Sequence, residues 1–434
     1  MPIESLPNYA ALQDYLFGLK QQGVKLGLDR MRRFVAALGH PERAVPVIHI
    51  TGTNGKGSTS AMVEAILREA GWRVGLYTSP HLIRLAERIQ VDRNSIRETE
   101  MLAHARDMLP VAVELGMEDP TESPSYFEFM TALAFRHFAR CRCDIAVVEV
   151  GMGGRDDATN VVEPVISVIT SVSLDHCDIL GDTLTEIATA KAGIIKTGAP
   201  VVIGRLPEEA ESRIRQEAKG QGASVFSVRE DFGEAVTHYP KVPLAGNFQR
   251  WNAATASLVA STLPAEWGID RAAITQGLRN TSWPARWQHV TYGGQPLILD
   301  SSHNAEGATV LAENLADLVA ETGVKPRVIV GVLGAQRAKA LLRTLSQFAS
   351  EIILVIPRMA RASSFAELRA CISPDFDGAI VESSVDTLFP AIGRVSLPRS
   401  DSPVVVTGSI YLIAEVMTRL VLGGESGEIH LQDF

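Results

Sequence analysis

The sequence is short of several things, and each shortage excludes a class of protein. No apolar run approaches the ~20 residues needed to cross a bilayer, so no membrane-spanning or membrane-bound partner role is expected. Only four cysteines occur in 434 residues, namely Cys141, Cys143, Cys177 and Cys371. None forms a C-x-x-C pair and no His or Cys grouping has zinc spacing, so a disulfide framework and a structural zinc site are set aside. Unpaired thiols in a reducing cytosol are expected instead. Basic residues are outnumbered, 41 Lys and Arg against 50 Asp and Glu, and no basic arm exists. A formal charge of −9 disfavours nonspecific nucleic-acid binding, so no nucleic-acid partner is expected. The opening stretch MPIESLPNYAALQDYLF lacks the basic n-region and apolar core of a secretory signal. A cytoplasmic location is the expectation.

What is present describes a globular protein. Apolar residues make up 46% and charged residues 21%. The length suggests two or three domains. Short β-branched runs alternate with helical patterns: VPVIHIT, STSAMVEAILREAGW, RVGLYTS, SYFEFMTALAFRHFARC, CDIAVVEVG, PVISVITSVS, LTEIATAKAGII and APVVIG. Such alternation predicts a parallel sheet covered on both faces. A second, smaller α/β series runs from PLILDSS near Pro296 to PVVVTGS. NTSWPARWQHVTYGGQ, rich in turn formers, reads as the linker. The domains are therefore placed at 1–287 and 288–434, with a ligand site expected in the cleft between them.

Three segments carry chemistry. In TGTNGKGS, glycines 52, 55 and 57 follow a strand and open a helix. They allow backbone N–H groups to point inward, the helix adds the positive end of its dipole, and Lys56 supplies a mobile cation. This is a phosphate cradle with an irregularity: the common pattern places Ser or Thr directly after the lysine, whereas here Gly57 intervenes before Ser58. In AVVEVGMGGRDDATN, Glu149 lies at the carboxyl end of a strand, where open α/β sheets place ligands, and a lone carboxylate there suits Mg²⁺. Gly151-Met-Gly153-Gly154 resembles a dinucleotide fingerprint, but Asp156 replaces the final glycine, so a plain turn competes with both readings. In TSVSLDHCDILGDTLTEIATAKAGIIK, His176 after a strand reads on its own as a satisfied polar residue. Lys191 sits in an apolar helix pattern, where snorkelling to the surface and a buried role are evenly balanced.

Together these segments resemble the folylpolyglutamate synthase and dihydrofolate synthase family, a branch of the Mur ligases. The likeness runs through KLGLDRM, TGTNGKGS, YTSPHLIRLAERI, SYFEFMTALAF, EVGMGGRDDATN, LDHCDILGDTLTEIATAKAGI, GNFQRWNAATA, PARW, LDSSHN and TGSIYLIAEV, in the family's order. It implies a P-loop-type parallel-sheet ATPase domain followed by a smaller Rossmann-like α/β domain, with the active site in the interdomain cleft. It implies ATP on Thr53, Asn54, Gly55, Lys56, Gly57 and Ser58, approached by Asn252, Arg286, Asp300 and His303. Mg²⁺ would be held by Ser79, Glu149 and His176, which moves the metal hydroxyl from Ser58 to Ser79. Lys191 would carry a CO₂-derived carbamate, and a monovalent cation would assist. Lys56, Lys191, His176 and Arg286 would be the catalytic set. The pterin would lie on Gly27, Leu28 and Arg30, on Tyr126, Phe127 and Glu128, and on Asp156, Asp157 and Ala158.

The reaction implied is ATP-driven amide formation through an acyl phosphate, joining L-glutamate to a pteroyl or folate carboxylate in a monomeric enzyme. The activities implied are tetrahydrofolate polyglutamylation and the conversion of dihydropteroate to dihydrofolate. A sister ligase for a non-folate carboxylate is the alternative, and a P-loop ATPase without ligase chemistry is the reading from another class. The sequence departs from the family at four places: Ala190 stands where a glutamate is usual, Ala285 where Pro-Gly-Arg has its glycine, Ser302 and Ala305 alter the Asp-x-Ala-His-Asn-Pro run, and GAQRAKA replaces a charged Asp-Lys-Asp.

Overall fold

The computed structural model describes residues 6–21, 23, 27–292, 294–398 and 402–421. Met1–Ser5 of the opening stretch, and Lys25 and Leu26 of KLGLDRM, lie outside the described residues. The strands are β1 (Val47–Thr51), β2 (Val74–Tyr77), β3 (Ile89–Val91), β4 (Asn94–Ser95), β5 (Ile145–Glu149), β6 (Ile166–Ile169), β7 (Val201–Ile203) and β8 (Val225–Ser227), then β9 (Gln288–Tyr292), β10 (Gln295–Leu299), β11 (Arg327–Val330), β12 (Glu351–Val355), β13 (Ala379–Ser383) and β14 (Val404–Thr407). They form two sheets, in the orders β4-β3-β2-β5-β1-β6-β7-β8 and β13-β12-β11-β14-β10-β9.

The chain divides into two compact units. The first comprises Met1–His81, Leu85–Pro243 and Gln249–Thr281; the second comprises Leu82–Arg84, Leu244–Phe248 and Ser282–Phe434. In the first unit β1, β2, β5 and β6 are buried at every position, which is why their sequences read as mostly apolar runs. Strands β2, β5, β1, β6, β7 and β8 pair in parallel. β3 and β4 add an antiparallel hairpin at one edge, from a segment without a clear period-2 pattern. The helix Tyr126–Arg140 starts at a capping box, Ser125 with Glu128, and buries Phe129, Met130, Leu133 and Phe138 in a hydrophobic core of this unit.

In the second unit β13, β12, β11, β14 and β10 are parallel and β9 is antiparallel. The architecture is α/β with two mostly parallel sheets, as the alternation of runs and helices implied. One expectation needs correcting. The stretch 280–295 is not simply linker: Gln288–Tyr292 forms edge strand β9, and Gln295 begins β10. An edge strand alternates between half-buried and exposed positions, so it carries no apolar run to mark it. All four cysteines are free thiols, as their spacing suggested.

Candidate active site

Parallel pairing of neighbouring strands puts their carboxyl ends on one edge of the sheet. β2, β5, β1 and β6 are consecutive in the order, so the segments that leave them emerge side by side. These are 78–81 after β2, 150–157 after β5, 52–55 after β1 and 170–176 after β6. Every motif that sequence reading singled out in this unit, except Lys191, Asn252 and the pterin segments near residues 30 and 127, leaves the sheet at that edge, which is where open α/β sheets take ligands.

The glycine loop is shaped by its neighbour. Thr53 N donates to Ser171 O at 2.9 Å and Ser173 N to Thr53 Oγ1 at 3.1 Å. Asn54 is clamped on both sides: its N–H donates to Ser171 Oγ at 2.9 Å and its carbonyl accepts from Thr170 Oγ1 at 2.6 Å. Gly55 caps the helix Lys56–Glu69 at φ 83°, a left-handed conformation that favours glycine. A Cβ there would collide with Asn252 Oδ1, whose amide is held by a 3.0 Å hydrogen bond to Gln249 Oε1. Lys56 Nζ donates to the loop's own carbonyls, Gly52 O at 3.0 Å and Thr53 O at 3.2 Å. Gly57 and Ser58 belong to the first helical turn, whose amides have no acceptor within the helix. The Ser58 hydroxyl is buried without a partner among the described residues.

Glu149 ends β5 and is 4% exposed. Its Oε2 accepts the Ser79 N–H at 3.2 Å, so the structure brings these two together. His176 has left-handed φ 51° and precedes the one-turn helix Cys177–Leu180, with its amide held by Asp175 Oδ1 at 2.9 Å. Lys191 is 2% exposed on the helix Leu184–Ala192, so it does not snorkel. The 151–157 loop docks on that helix: Arg155 N donates to Ala190 O at 2.8 Å, and a Cβ on Gly154 would lie 2.9 Å from the carbonyls of both Ala190 and Lys191. Thr51 Oγ1 donates to Gly153 O at 2.6 Å, tying the same loop to β1. Gly154 is there for close approach to that helix, which no larger residue allows.

The pterin candidates form a half-buried group. Phe127 packs on the same loop, since a Cβ on Gly151 would lie 2.6 Å from its ring tip. The Arg88 guanidinium lies 5.6 Å from the centre of the Tyr126 ring. Glu128 Oε2 accepts from Ser125 N at 2.6 Å and from Arg30 Nε at 3.4 Å. Its Oε1 and Arg30 Nη2 are buried and have no partner among the described residues. Gly27 has φ 100° and Leu28 caps the helix Asp29–Ala37 that carries Arg30. Asp156 is exposed and Ala158 buried, opening a short 3₁₀ turn. Asp157 is spent on its own turn: it accepts from Met152 N at 2.9 Å, Thr159 N at 3.0 Å and Thr159 Oγ1 at 2.6 Å.

In the second unit the turn 284–287 is fastened to the end of β10. Asp300 accepts Trp287 N at 3.1 Å and Ser302 N at 3.0 Å, and Ala285 O accepts from Ser301 N and Ser301 Oγ at 3.1 Å each. Ala285 has φ 60°, the conformation for which the family's glycine is suited. Arg286 Nη1 donates to Ala285 O at 3.2 Å. His303 Nδ1 lies 2.9 Å from Ser301 O; a carbonyl only accepts, so Nδ1 carries the proton and Nε2 is the acceptor nitrogen.

Sequence reading passed over the residues that hold these loops: His49, Thr159, Asn160, Thr170, Ser171 and Ser173. The available signal was polarity at strand positions, a histidine inside VIHIT and hydroxyls in ITSVS. His49 is wholly buried in β1, and burial pushes its imidazole down to about 3, with Lys196 adding to the effect.

Residues 50–238 match the Mur ligase middle domain. Over 435 residues, 95% of this chain and 99% of the relative, the sequence is 36% identical to the dihydrofolate synthase/folylpolyglutamate synthase of Bacillus subtilis. The structure resembles the crystal structure of folylpolyglutamate synthase from Thermotoga maritima, with TM-score 0.80 and 31% identity over 96% of this chain and 97% of that one. It also resembles the bifunctional folylpolyglutamate synthase/dihydrofolate synthase from Yersinia pestis complexed with AMPPNP and Mn ion, with TM-score 0.79 and 32% identity over 96% and 98% of the two chains. Likeness at that identity along nearly the full length of each places the chain in the folylpolyglutamate synthase/dihydrofolate synthase family, a branch of the Mur ligases.

Proposed function

We propose that this protein is an ATP-dependent ligase that joins the amino group of L-glutamate to a carboxylate of a pteroyl substrate. One observation carries the reading. A glycine loop with a lysine and a buried carboxylate paired with Ser79 leave the same edge of one parallel sheet, within a chain of this family.

The donor set fits a hydrated divalent ion. Ser79 and Glu149 offer oxygen ligands, with His176 as a third. Among the described residues no group of three or more His, Cys, Asp or Glu could hold a metal alone. Mg²⁺ matches that poverty, because it keeps several waters and takes phosphate oxygens. When bound, it supplies neutralising charge at the phosphates.

The chain's own residues do the rest. The substrate carboxylate attacks the γ-phosphorus of ATP, giving an acyl phosphate and ADP. Lys56 leaves its loop carbonyls for the phosphoryl oxygens, and the first-turn amides of the helix Lys56–Glu69 face the same charge. The neutral amine of glutamate then attacks the acyl carbon, a proton leaves the nitrogen, and phosphate departs. Arg286, Asp300 and His303 would bind ATP, with Asn252 beside Gly55. The pteroyl ring would lie along Arg30, Tyr126 to Glu128 and the 156–158 turn. Residues 1–287 would then handle the ATP phosphates and the pteroyl acid, and 288–434 would receive glutamate and help bind the adenosine.

Lys191 is proposed to react with CO₂: its ammonium gives up one proton to become the amine, and the amine nitrogen gains a carboxylate and loses a second proton. That exchange replaces a cation by an anion beside the loop that leaves Glu149, and it gives a reason for a lysine at 2% exposure. A monovalent cation and a monomeric, cytoplasmic enzyme complete the reading.

The test is a paired assay with dihydropteroate and with a reduced folate, each with labelled glutamate, ATP and Mg²⁺. Incorporation of label with ADP release in one or both arms is expected. An enzyme idle in both, yet active on another carboxylate, would transfer the function to a sister ligase. ATP turnover indifferent to glutamate would leave only an ATPase.

A further inference from the structure

β1 contains a residue that its surroundings do not need for packing. His49 is 0% exposed within an otherwise apolar strand. Its Nε2 lies 2.8 Å from Thr159 Oγ1, and its Nδ1 is buried without a partner among the described residues. The protons along this line can be assigned. Both Asp157 oxygens are occupied by donors, Oδ2 by the Met152 amide and Oδ1 by the Thr159 amide and hydroxyl. Asp157 is therefore the acceptor, and the single hydroxyl proton of Thr159 points to it. Thr159 Oγ1 must accept from His49, so the imidazole is neutral with its proton on Nε2.

An orphan ring nitrogen in a core is unfavourable, and leucine would pack there without that cost. The return is found in the loop. Asp157 closes the turn that contains Gly151 to Ala158. That loop meets Phe127 at Gly151 and the backbone of Ala190 and Lys191 at Gly154. Asn160, one residue beyond Thr159, donates to Arg155 O at 2.9 Å and to Gly193 O at 3.0 Å, so the same segment also holds the end of the Lys191 helix.

We propose that His49, Thr159 and Asp157 form a buried hydrogen-bond relay that positions the 151–160 loop, and through it the Lys191 helix and the Phe127 side of the pteroyl site. His49 is a positioning residue that acts from the central strand without touching substrate. The inference rests on the ligase reading for its catalytic consequence, while its structural half is independent of any substrate.

The experiment compares His49→Leu, His49→Gln, Thr159→Val and the His49→Leu/Thr159→Val double variant with the wild type. Glutamine places an amide N–H where Nε2–H stands, so it keeps the donor; leucine and valine break the relay at different links. Glutamate-dependent ADP release is expected to fall about tenfold to a hundredfold in kcat for either break, the range for sub-ångström to ångström misplacement of reacting groups. The double variant should be no worse than the poorer single one. KM for ATP should stay within about twofold, because the phosphate loop is tethered separately by Thr170 and Ser171. His49→Gln should recover kcat to within about threefold of the wild type. Hydrogen exchange supplies the substrate-free readout: amide protection at Met152, Arg155 and Thr159 should fall in both broken variants and persist in His49→Gln. Should His49→Leu fail to fold, Thr159→Val and His49→Gln carry the comparison. The relay is refuted by broken variants that lose thermal stability with kcat and amide protection intact, or by His49→Gln as impaired as His49→Leu. A wild type inactive on every pteroyl acid would sink the ligase reading and leave the exchange result to judge the relay alone.

Discussion

Consider adding a single methyl group at Gly154. The Cβ of Gly154→Ala would lie 2.9 Å from Ala190 O, 2.9 Å from Lys191 O and 3.0 Å from Ile194 Cγ2. Two of those atoms are helix backbone and cannot swing aside, so loop and helix must separate by about half an ångström to reach ordinary contact. Overpacking of that kind costs about 1–3 kcal/mol. The Arg155 N to Ala190 O hydrogen bond, now 2.8 Å, would stretch with it and give up part of its ~1 kcal/mol. A total near 3 kcal/mol in a unit of this size should lower Tm by about 5–10 °C. The helix end that moves carries Lys191, and the loop that moves follows Glu149. Displacement of that order should also lower kcat by roughly tenfold. Differential scanning calorimetry and glutamate-dependent ADP release, measured on the same preparation, check both numbers. A variant with Tm within 2 °C and kcat within about twofold of the wild type would show that the close approach neither stabilises the loop nor sets the site.

Other perturbations probe separate links. Lys191→Ala should lose most activity and recover part of it when a short carboxylic acid is added; a fully active wild type whose Lys191 has no added mass would defeat the carbamate. Gly55→Ala combines a left-handed φ of 83° with a collision at Asn252 Oδ1, and should raise KM for ATP by about tenfold or more while leaving pteroyl binding alone. A kinetic defect confined to the pteroyl substrate would contradict the loop assignment. At Ala285, φ 60° and near-complete burial oppose each other: glycine relieves the strain but removes a buried methyl, so Ala285→Gly should shift stability by less than about 1 kcal/mol. Ala285→Val, β-branched at the same φ, should cost more than about 2 kcal/mol, and urea unfolding distinguishes the two. His49 gives a pH prediction. Its folded value, about 3, lies below the unfolded 6.5, so the folded state favours the neutral ring. The contribution is complete above pH 6.5 and is lost as pH falls toward 3. Relative to His49→Gln, the wild type should therefore lose about 2 kcal/mol between pH 7 and pH 5, at the rate of about 1.4 kcal/mol per unit. Parallel denaturation curves at the two pH values for both proteins would refute it.

Much of this could be read from the chain because the informative features are local. β1, β5 and β6 are buried throughout, so each appears as a mostly apolar run rather than an alternating one. The glycine loop is eight consecutive residues, and its mechanism needs only a strand before it and a helix after it. Lys191 is a case where sequence stops short: helix periodicity says only that its neighbours are apolar, and both snorkelling and burial satisfy that. The fold decides, because the end of the helix is covered by Gly154 and Arg155, 36 or more residues earlier in the chain. β9 was missed for the opposite reason. It is an edge strand with one buried residue, Tyr292, so its pattern is no stronger than that of a loop.

The residues that set the site's geometry were hidden by distance in sequence. Asn54 is clamped by Ser171 across 117 residues, and Thr53 meets Ser173 across 120. No periodicity or spacing rule links such pairs; only the adjacency of β1 and β6 does. That adjacency also changes the meaning of the late hydroxyl in the glycine loop. Where a serine directly follows the lysine, the loop carries its own hydroxyl to the metal. Here the hydroxyls of Thr170 and Ser171 bind the loop's backbone, and the Ser173 amide donates to the Thr53 hydroxyl. The loop's shape is thus held from the next strand, and in the proposed assignment the metal oxygens would come from the other side, from Ser79 beyond β2 and Glu149 at the end of β5. Losing Ser171 and losing Ser79 should then separate cleanly: the first weakens ATP at any metal concentration, the second weakens ATP in a way that excess divalent metal restores. If excess metal rescues Ser171→Ala and fails to rescue Ser79→Ala, the division of labour between the two sides of β1 is the reverse of the one argued here.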